Sequence, residues 1–445
     1  MSLLFNSVYL LLLMGATPWI VYSAITKGKY CEGWLQKLFG LVPRRNSDAP
    51  CVWLHGVSVG EINVLATIID ELQTRFPEFD YVVSSTTKTG FDLATTKFQG
   101  QTVFYFPFDF SWAIRNVLRR LGPDVLILGE LELWPNLIRI ADSSSIDVAV
   151  VNARLSENSF QGYKRIKPII SRALRRIELL AVQTDEYAQR FRALGARDES
   201  ISVTGSTKFD GAEANRQNSS TRALARLAGI TETDRVFLAG STQDPEEAHA
   251  LQTFRTLMDE HRDLKLILVP RHPERFRSVA QLLHESGLPW SRRSELTEDS
   301  NTARILLVDT IGELGAWWGT AEICYVGGSM GDRGGQNMIE PAAYGSAVSF
   351  GPKTKNFRDV VRMMLDSGSA TVVQNGDELT QFVRRHLTDN AYHDAMCHRA
   401  ASLVRKNSGA LARTVDQLAP LLRRRVQLKH MSTETLQTHV ATKNA

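Results

Sequence analysis

The residues best placed to do chemistry in this sequence are carboxylates that follow apolar runs. Glu61 comes after the run Cys51–Leu54 and a turn containing Gly56 and Gly60, and it opens a stretch whose apolar residues have helical spacing. Open α/β sheets bind ligands at the carboxyl ends of their strands, and a helix N-terminus favours an ionised carboxylate. Glu61 is therefore a candidate general base. The alternative is an ordinary acidic residue in a first helical turn.

A second acidic motif, Gly-Glu-Leu-Glu at residues 129–132, follows the apolar run Val125–Leu128. Glu130 leaves its strand at the sheet edge where Glu61 is expected, so the two carboxylates could divide the roles of base and charge-stabilising group. Helix capping is the alternative role for Glu130. An E-x-E pair can also bind a metal ion, but no D-x-D motif and no histidine cluster accompanies it, so we expect no metal site.

Three basic residues stand where they could contact a phosphate or an acceptor. Lys208 comes just after the last strand of the first half and could neutralise a leaving phosphate, although most lysines in linkers are solvated. Arg271 closely follows the strand-like run 264–269, where its guanidinium could bind phosphate in a fork. Arg154, in the segment 152–156, is either part of an acceptor-binding loop or a surface residue beside a helix cap.

Glycine-rich turns in the second half are typical of nucleotide binding. Gly-Gly-Ser at 327–329 follows a strand, and the segment 334–341 (GGQNMIEP) leads into a helix. Glycine lets the backbone approach a ligand, and a helix N-terminus points its amides at phosphate. Glu340 could accept hydrogen bonds from two ribose hydroxyls, and the amides of residues 309–314 (DTIGEL) could bind a base or phosphate. The sequence therefore predicts a nucleotide site in this half.

Alternating strand-like and helical segments must position these residues. They run from residue 49 to about 205 and again from 236 to 373, which predicts an α/β fold with two doubly wound parallel sheets. Two such Rossmann-like halves are expected to face each other across a cleft. The expected boundaries are 1–27 for an anchor helix, 48–207 for the first domain, 208–233 for a linker, 234–425 for the second domain with its closing helices, and 426–445 for a tail.

The segment 2–26 contains no charged residue and is long enough to span a bilayer core. No basic region precedes it, which argues against a cleaved signal peptide. Asn6 and Pro18 leave an interfacial helix as the alternative to a full span. By the positive-inside rule, the basic residues that follow place the body of the protein in the cytoplasm. These residues are Lys27, Lys29, Lys37, Arg44 and Arg45.

Length and composition limit the possible classes of protein. A chain of 445 residues is too long for one ordinary hydrophobic core, which predicts two domains. The 52 basic and 48 acidic residues leave a net charge of only +4, so nucleic-acid binding is not implied. The four cysteines have no C-x-x-C or zinc spacing, which indicates a reducing compartment without a disulfide framework.

Together these motifs identify a family resemblance over nearly the whole chain. The chain resembles the 3-deoxy-D-manno-octulosonic acid (Kdo) transferases of lipopolysaccharide assembly, which have the two-domain GT-B glycosyltransferase fold. The motifs that carry it are HGVSVGE at 55–61, ELELWPN at 130–136, NARLS at 152–156, KFD at 208–210, PRHPERF at 270–276, DTIGEL at 309–314, GGS at 327–329, GGQNMIEPAA at 334–343 and GPKTKNF at 351–357.

The resemblance implies a metal-independent, inverting transfer of Kdo from CMP-Kdo to a lipid A precursor of the lipid IVA type. It implies that Glu61 is the general base and that Glu130 and Lys208 stabilise the transition state. It further implies no cofactor, and membrane lipid as a partner at the cytoplasmic face of the inner membrane. The positions that match the CMP site are Pro270, Arg271, Ile311, Gly312, Glu313, Asn337, Met338, Ile339 and Glu340.

Three residues depart from the family pattern, and two other functions compete with the transferase. Gln336 stands where the family usually has His, Leu131 where it often has Thr, and Val57 where Ala is usual. Leu131 leaves open whether Glu130 or Glu132 faces the ligand. The first competing function is another GT-B enzyme acting on a nucleotide sugar, either an epimerase or a different glycosyltransferase, and an epimerase would not need the apolar N-terminal segment. The second is a non-enzymatic scaffold, which would not need the acidic and phosphate-binding groups. The sequence does not determine how many Kdo residues are added.

Overall fold

The computed structural model describes residues 2–27, 32–297 and 303–443, and the chain divides into two compact units. Unit 1 comprises Met1–Asp210 and Ser408–Ala445, and unit 2 comprises Gly211–Asn407. Each unit contains one seven-stranded sheet in which every strand pair is parallel. The predicted α/β architecture with two Rossmann-like halves is confirmed.

The sheet of unit 1 has the order β3-β2-β1-β4-β5-β6-β7. Its strands are Cys51–His55 (β1), Asp80–Ser85 (β2), Thr102–Tyr105 (β3), Val125–Gly129 (β4), Asp147–Ala153 (β5), Leu179–Val182 (β6) and Ile201–Val203 (β7). All five residues of β1 and of β4 are buried, as expected for strands covered on both faces. The chain builds outward from β1 to β3 and then returns to place β4 on the other side of β1. The switch point of this sheet therefore lies between β1 and β4.

Helices cover this sheet because their apolar faces repeat with helical spacing. In Val59–Arg75, for example, Ile62, Leu65, Ile69 and Leu72 are all buried, as the sequence predicts. The helices are Ser2–Lys27 (α1), Trp34–Phe39 (α2), Val59–Arg75 (α3), Lys88–Lys97 (α4), Ser111–Leu121 (α5), Pro135–Ser143 (α6), Glu157–Arg165 (α7), Lys167–Leu174 (α8) and Asp185–Leu194 (α9). Two helices, α7 and α8, follow each other directly: α7 ends at Arg165 and α8 begins at Lys167, because Pro168 cannot continue the preceding hydrogen-bond ladder.

The sheet of unit 2 has the order β10-β11-β9-β8-β12-β13-β14, so its switch point lies between β8 and β12. Its strands are Arg235–Thr242 (β8), Leu264–Pro270 (β9), Trp290–Arg292 (β10), Ile305–Leu307 (β11), Ile323–Val326 (β12), Ala347–Phe350 (β13) and Ala370–Val372 (β14). Its helices are Ser219–Leu227 (α10), Glu246–Leu257 (α11), Phe276–Glu285 (α12), Leu314–Trp318 (α13), Ile339–Ala343 (α14), Arg358–Asp366 (α15), Gly376–Thr388 (α16) and Asn390–Asn407 (α17). The edge strand β10 is not predicted from the sequence, because its residues Trp-Ser-Arg form no apolar run.

Two predicted boundaries need correction. The segment 208–233 is not a free linker: from Gly211 onward it belongs to unit 2, where the guanidinium of Arg216 donates to the carbonyl oxygens of Gly319, Ala321 and Tyr344. The predicted second domain, 234–425, is too long at its C-terminal end, because residues 408–445 belong to unit 1. Within the predicted tail, 426–445, the helix Ala410–Lys443 (α18) continues as far as Lys443.

Apolar packing and buried charge explain why α18 returns to the first sheet. Val415, Leu418 and Leu422 are fully buried in the same core cluster as the apolar face of α3. On the next turns, Arg424 and Arg425 both donate to the carboxylate of Asp147, at the start of β5. These contacts join residues far apart in sequence, so no local pattern predicts them.

Asp210 caps the start of α18. Its two carboxylate oxygens accept hydrogen bonds from the backbone N–H groups of Gly409 and Leu411. We expect Asp210→Ala to lower the free energy of unfolding of unit 1 by about 1–2 kcal/mol, as for other lost caps, measured by urea denaturation. Asp198→Ala is the control, because its carboxylate pairs with Arg192 at an exposed surface. Equal effects of the two substitutions would contradict the capping role.

Candidate functional site

Glu61 lies at the switch point of the first sheet, in the first turn of α3. Ser58 is the N-cap, and its Oγ accepts from the Glu61 N–H at 3.4 Å. The Glu61 carboxylate accepts from the Val57 N–H through Oε2 and from the Ser58 hydroxyl through Oε1, both at 2.9 Å. Glu61 thus does cap its own helix, yet its two oxygens keep further lone pairs, and it is 9% exposed. Capping and acting as a base are compatible roles for this side chain.

Glu130 lies directly across the switch point, at the end of β4. Its φ of 55° is left-handed, a conformation that strains a non-glycine residue. Its Oε2 accepts from Nε of Arg154 at 2.7 Å and is 2.6 Å from an Nη of the same guanidinium. Arg154 is therefore the partner of Glu130, and Ser156 of the same segment is the N-cap of α7.

Glu132 is the third carboxylate at this edge. Its Oε2 accepts from the indole N–H of Trp134 at 2.7 Å and lies 3.9 Å from Nε2 of His55. The pKa of Glu132 is raised to about 7, mainly by burial, with the charges of Glu61 and Glu130 adding to this shift and the Trp134 hydrogen bond opposing it. The charges of Glu61 and Glu130 therefore both act on Glu132, and the charge of Glu130 also acts on Glu61.

His55, at the end of β1, is a neutral residue. It is completely buried and stacks on Phe106 with ring centroids 3.7 Å apart. Burial lowers its pKa to about 3, against the opposing hydrogen bond of Nδ1 with Ser84. Its Nε2 has no hydrogen-bond partner in the described part of the chain. His55 and Glu132 are therefore not an ion pair at neutral pH.

The environment of Glu61 raises its pKa. Burial is the largest cause, and the negative charge of Glu130 acts in the same direction, while the Val57 and Ser58 hydrogen bonds and the charge of Arg154 oppose it. A raised pKa makes this carboxylate a stronger base in its ionised form. Gly129, at the end of β4, lets the backbone of β4 lie close to β1 and to the Glu61 carboxylate. A Cβ at this position would lie 3.2 Å from the His55 carbonyl oxygen and 3.7 Å from Oε2 of Glu61.

Lys208 lies in a 3-10 turn, Thr207–Phe209, that follows β7. The turn is tied to the end of β5, where the Thr207 N–H donates to Oδ1 of Asn152 at 3.4 Å. Asn152 is fully buried and has a left-handed φ of 52°. Strained residues thus end both β4 and β5, as is common where a sheet edge binds a ligand. Lys208 itself is half-buried.

In unit 2, the Gly-Gly-Ser turn at the switch point does not present free amides. The N–H groups of Gly328, Ser329 and Met330 all donate to the carboxylate of Glu246, at 2.7, 2.9 and 2.9 Å. The sequence predicts a nucleotide site at this turn, but the amides of Gly328 and Ser329 are not available to a ligand. The physical reason is an internal anion that already satisfies them.

Arg271 and Glu340, both predicted nucleotide ligands, are close enough to interact. Arg271 follows β9, its N–H donates to the Thr242 carbonyl oxygen at 3.0 Å, and its exposed guanidinium has no hydrogen bond within the described residues. Burial raises the pKa of Glu340, and a hydrogen bond from Asn337 Nδ2 at 2.9 Å and the charge of Arg271 oppose this shift. Pro270, also predicted, is the last residue of β9 and pairs with Thr242.

The other predicted nucleotide ligands divide between exposed and structural positions. Ile311 is 79% exposed and Gly312 has a φ of 89°, so this turn offers its backbone to solvent. The Glu313 carboxylate is instead engaged by the Arg293 guanidinium at 2.7 and 3.0 Å. Met338 and Ile339 are buried core side chains, so they can offer a ligand only their backbone.

Sequence reasoning assigned no role to several residues that shape these sites. Glu246 is 1% exposed, and the buried hydroxyl of Tyr325, in strand β12, donates to its carboxylate at 2.8 Å. The tyrosine within an apolar strand is a sequence signal for such a residue, because a buried tyrosine hydroxyl needs a hydrogen-bond partner. Asp109 is 3% exposed and accepts from the N–H groups of Asn136 and Leu137, which begin α6. Within the described ranges, no group of three or more potential metal ligands converges.

Comparisons with known proteins agree with this architecture. A family model described as 3-deoxy-D-manno-octulosonic-acid transferase (kdotransferase) matches residues 32–211. The Haemophilus influenzae 3-deoxy-D-manno-octulosonic acid transferase is 32% identical over 84% of this chain and 88% of its own length. The Bordetella pertussis protein of the same name is 33% identical over 93% of this chain and 98% of its own length.

Structural comparison extends the likeness to the fold as a whole. The UDP-GlcNAc 2-epimerase of Neisseria meningitidis superimposes with a TM-score of 0.54 at 13% identity, covering 83% of this chain and 100% of that chain. At this identity the likeness concerns the fold alone, which is GT-B. The family follows instead from the Haemophilus influenzae and Bordetella pertussis relatives, which are more than 30% identical to this chain over most of their length. The chain belongs to the Kdo transferases, glycosyltransferases of lipopolysaccharide biosynthesis.

Proposed function

We propose that this protein transfers Kdo from CMP-Kdo to a lipid A precursor of the lipid IVA type, with inversion and with Glu61 as the general base. The observation that carries the mechanism is the buried Glu61 carboxylate at the switch point of the first sheet, where burial and Glu130 raise its pKa. In its ionised form it removes the proton from the acceptor hydroxyl as that oxygen attacks the anomeric carbon of Kdo. The bond to the CMP phosphate then breaks, and attack from the opposite face inverts the configuration.

The second requirement of this reaction is stabilisation of the charge that develops in the transition state. We assign this role to Glu130 and Lys208. Glu130 is held in one orientation by the Arg154 guanidinium, and its strained backbone is fixed by the Glu130 N–H donating to the Val151 carbonyl oxygen at 2.9 Å. Such preorganisation reduces the rearrangement needed during the reaction.

We assign the CMP group to the carboxyl edge of the second sheet. Arg271 has an exposed guanidinium for the phosphate, which matches the planar fork that binds phosphate oxygens. Glu340 offers a carboxylate for the ribose hydroxyls, and Asn337 orients that carboxylate through its side-chain amide. The exposed turn of Ile311 and Gly312 offers its backbone to the base. No metal ion or cofactor takes part in the proposed reaction.

We further propose attachment to the cytoplasmic face of the inner membrane. Residues Phe5–Thr26 form a helix long and apolar enough to cross a membrane, and Ser23 is its only buried residue in the described part of the chain. Asn6 donates to the Ser111 hydroxyl at 2.8 Å and Tyr9 to the Asp109 carboxylate at 3.0 Å, so one end of this helix is tied to unit 1. An apolar helix that is not covered by its own protein has lipid as its natural surroundings.

Mass spectrometry tests the proposed reaction. Membranes containing the protein are incubated with freshly generated CMP-Kdo and a tetra-acylated lipid A precursor. We expect mass increments of one or more Kdo residues, and their number reports how far the enzyme proceeds. Absence of any increment, with CMP-Kdo intact and the protein folded, would refute the donor and acceptor assignment.

The dependence of transfer on pH tests the electrostatic coupling around Glu61. Transfer should rise with pH as Glu61 loses its proton. Glu130→Gln removes a negative charge that raises the pKa of Glu61, so the acid limb of the pH–rate profile should move to lower pH, together with a lower plateau. Arg154→Met removes a positive charge that lowers this pKa, so the limb should move to higher pH. Shifts in the same direction would contradict the assignment of the limb to Glu61.

A further inference from the structure

The turn that follows β12 encloses a carboxylate of the protein itself. Glu246, the first residue of α11, is 1% exposed, and its position is fixed because Ala250 and Phe254 of the same helix are buried in the core. Five donors converge on its two oxygens. These are the N–H groups of Gln243 (2.9 Å), Gly328 (2.7 Å), Ser329 (2.9 Å) and Met330 (2.9 Å) and the hydroxyl of Tyr325 (2.8 Å).

Successive amides that point at one spot form an anion-binding concavity, and in nucleotide-binding folds this is a place for phosphate. The backbone here is built for a close approach of the anion. A Cβ on Gly327 would lie 2.7 Å from Oε2 of Glu246, and Gly328 has a φ of 64°. The concavity is therefore complete, and its anion is the Glu246 carboxylate.

The Gly-Gly-Ser turn, whose amides bind Glu246, adjoins the residues assigned to the nucleotide of the donor. The Gly335 N–H donates to the Gly328 carbonyl oxygen at 2.7 Å, and Nε2 of Gln336 lies 3.2 Å from the position of a Cβ on Gly328. Gln336 immediately precedes Asn337, where the proposed nucleotide contacts begin. A nucleotide bound by these residues would therefore lie beside the turn, and a second phosphate could be directed into it.

We propose that Glu246 is a specificity-determining residue that restricts the donor site to nucleotides with a single phosphate. A second phosphate directed into the turn would find its amide donors already used, and the carboxylate would repel it. A single phosphate needs neither the turn nor its amides, because Arg271 offers a separate guanidinium. This inference rests on the proposed use of a CMP-sugar donor.

Calorimetric titration of the full-length protein in detergent with CMP and with CDP tests the inference without requiring transfer. The wild-type protein should bind CMP more tightly than CDP. Glu246→Ala empties the turn and exposes its donors, so CDP affinity should rise by at least about tenfold while CMP affinity changes less. Added formate, a small carboxylate, should refill the turn and restore the wild-type preference.

Glu247→Ala is the matched control. Glu247 is the next residue of the same helical turn and is equally buried at 1% exposure, but its carboxylate pairs with Arg275 at 2.9 Å. It should leave the ratio of CMP to CDP affinity unchanged. If Glu246→Ala does not fold, as judged by its thermal unfolding, Glu246→Gln keeps the shape and removes the charge. It should then raise CDP affinity by a smaller factor.

Two results would overturn the inference. The first is a folded Glu246 variant that binds CDP as weakly as the wild type, and the second is equal binding of CMP and CDP by the wild-type protein. Either result overturns the inference and leaves the proposed function intact. Failure of the wild-type protein to bind either nucleotide would instead refute the donor assignment, and the inference with it.

Discussion

Glu61→Gln is expected to lower kcat for Kdo transfer by about 10²–10⁴-fold, the range that general base catalysis contributes. The amide keeps the size of the side chain and an oxygen that can accept from the Val57 N–H, but it cannot take the acceptor proton. The KM for CMP-Kdo should change little, because Glu61 belongs to unit 1 and the assigned nucleotide contacts belong to unit 2. Initial rates over a range of CMP-Kdo concentrations, followed by mass spectrometry of the lipid product, give both kcat and KM.

Glu71→Gln is the control for this substitution. Glu71 lies in the same helix, α3, and its carboxylate pairs with Arg75 at a partly exposed surface. It should retain full activity and nearly the same thermal stability. A folded Glu61→Gln protein that transfers Kdo at the wild-type rate would remove Glu61 as the base.

Deletion of residues 2–27 is expected to release the protein from membranes. Transfer to an acceptor embedded in vesicles should fall by about 100-fold or more, because enzyme and acceptor no longer share one surface and the effective concentration is lost. Transfer to a short-chain acceptor dissolved in water should persist, since the carboxylates of the site lie elsewhere in unit 1. Vesicle co-sedimentation and the two transfer rates are measured together.

The matched control replaces residues 10–27 with an unrelated apolar helix of the same length. It preserves Asn6 and Tyr9, and with them the contacts to Ser111 and Asp109. This protein should bind vesicles and regain the lost rate. If the deletion protein still sediments with vesicles and transfers at the full rate, membrane attachment resides elsewhere in the chain.

Much of the site is predictable because strand ends are local features. An apolar run followed by glycines and a helical stretch marks the carboxyl end of a strand, and this pattern alone predicts Glu61 and Glu130 at one sheet edge. At the Gly-Gly-Ser turn the same reasoning fails. That turn has the local pattern of a phosphate site, and the group that occupies its amides comes from Glu246, about 80 residues earlier in the chain.

The sequence by itself determined the class of fold, the order of its elements and the family, because hydrophobic periodicity and motif order are readable along the chain. Only the tertiary structure decided which charges meet. The pairing of Arg154 with Glu130, the burial that raises the pKa of Glu132 to about 7, and the return of α18 to the first sheet all depend on chain segments that are distant in sequence. Electrostatic energies depend on the distance between charges and on their burial, and the spacing of residues along the sequence determines neither quantity.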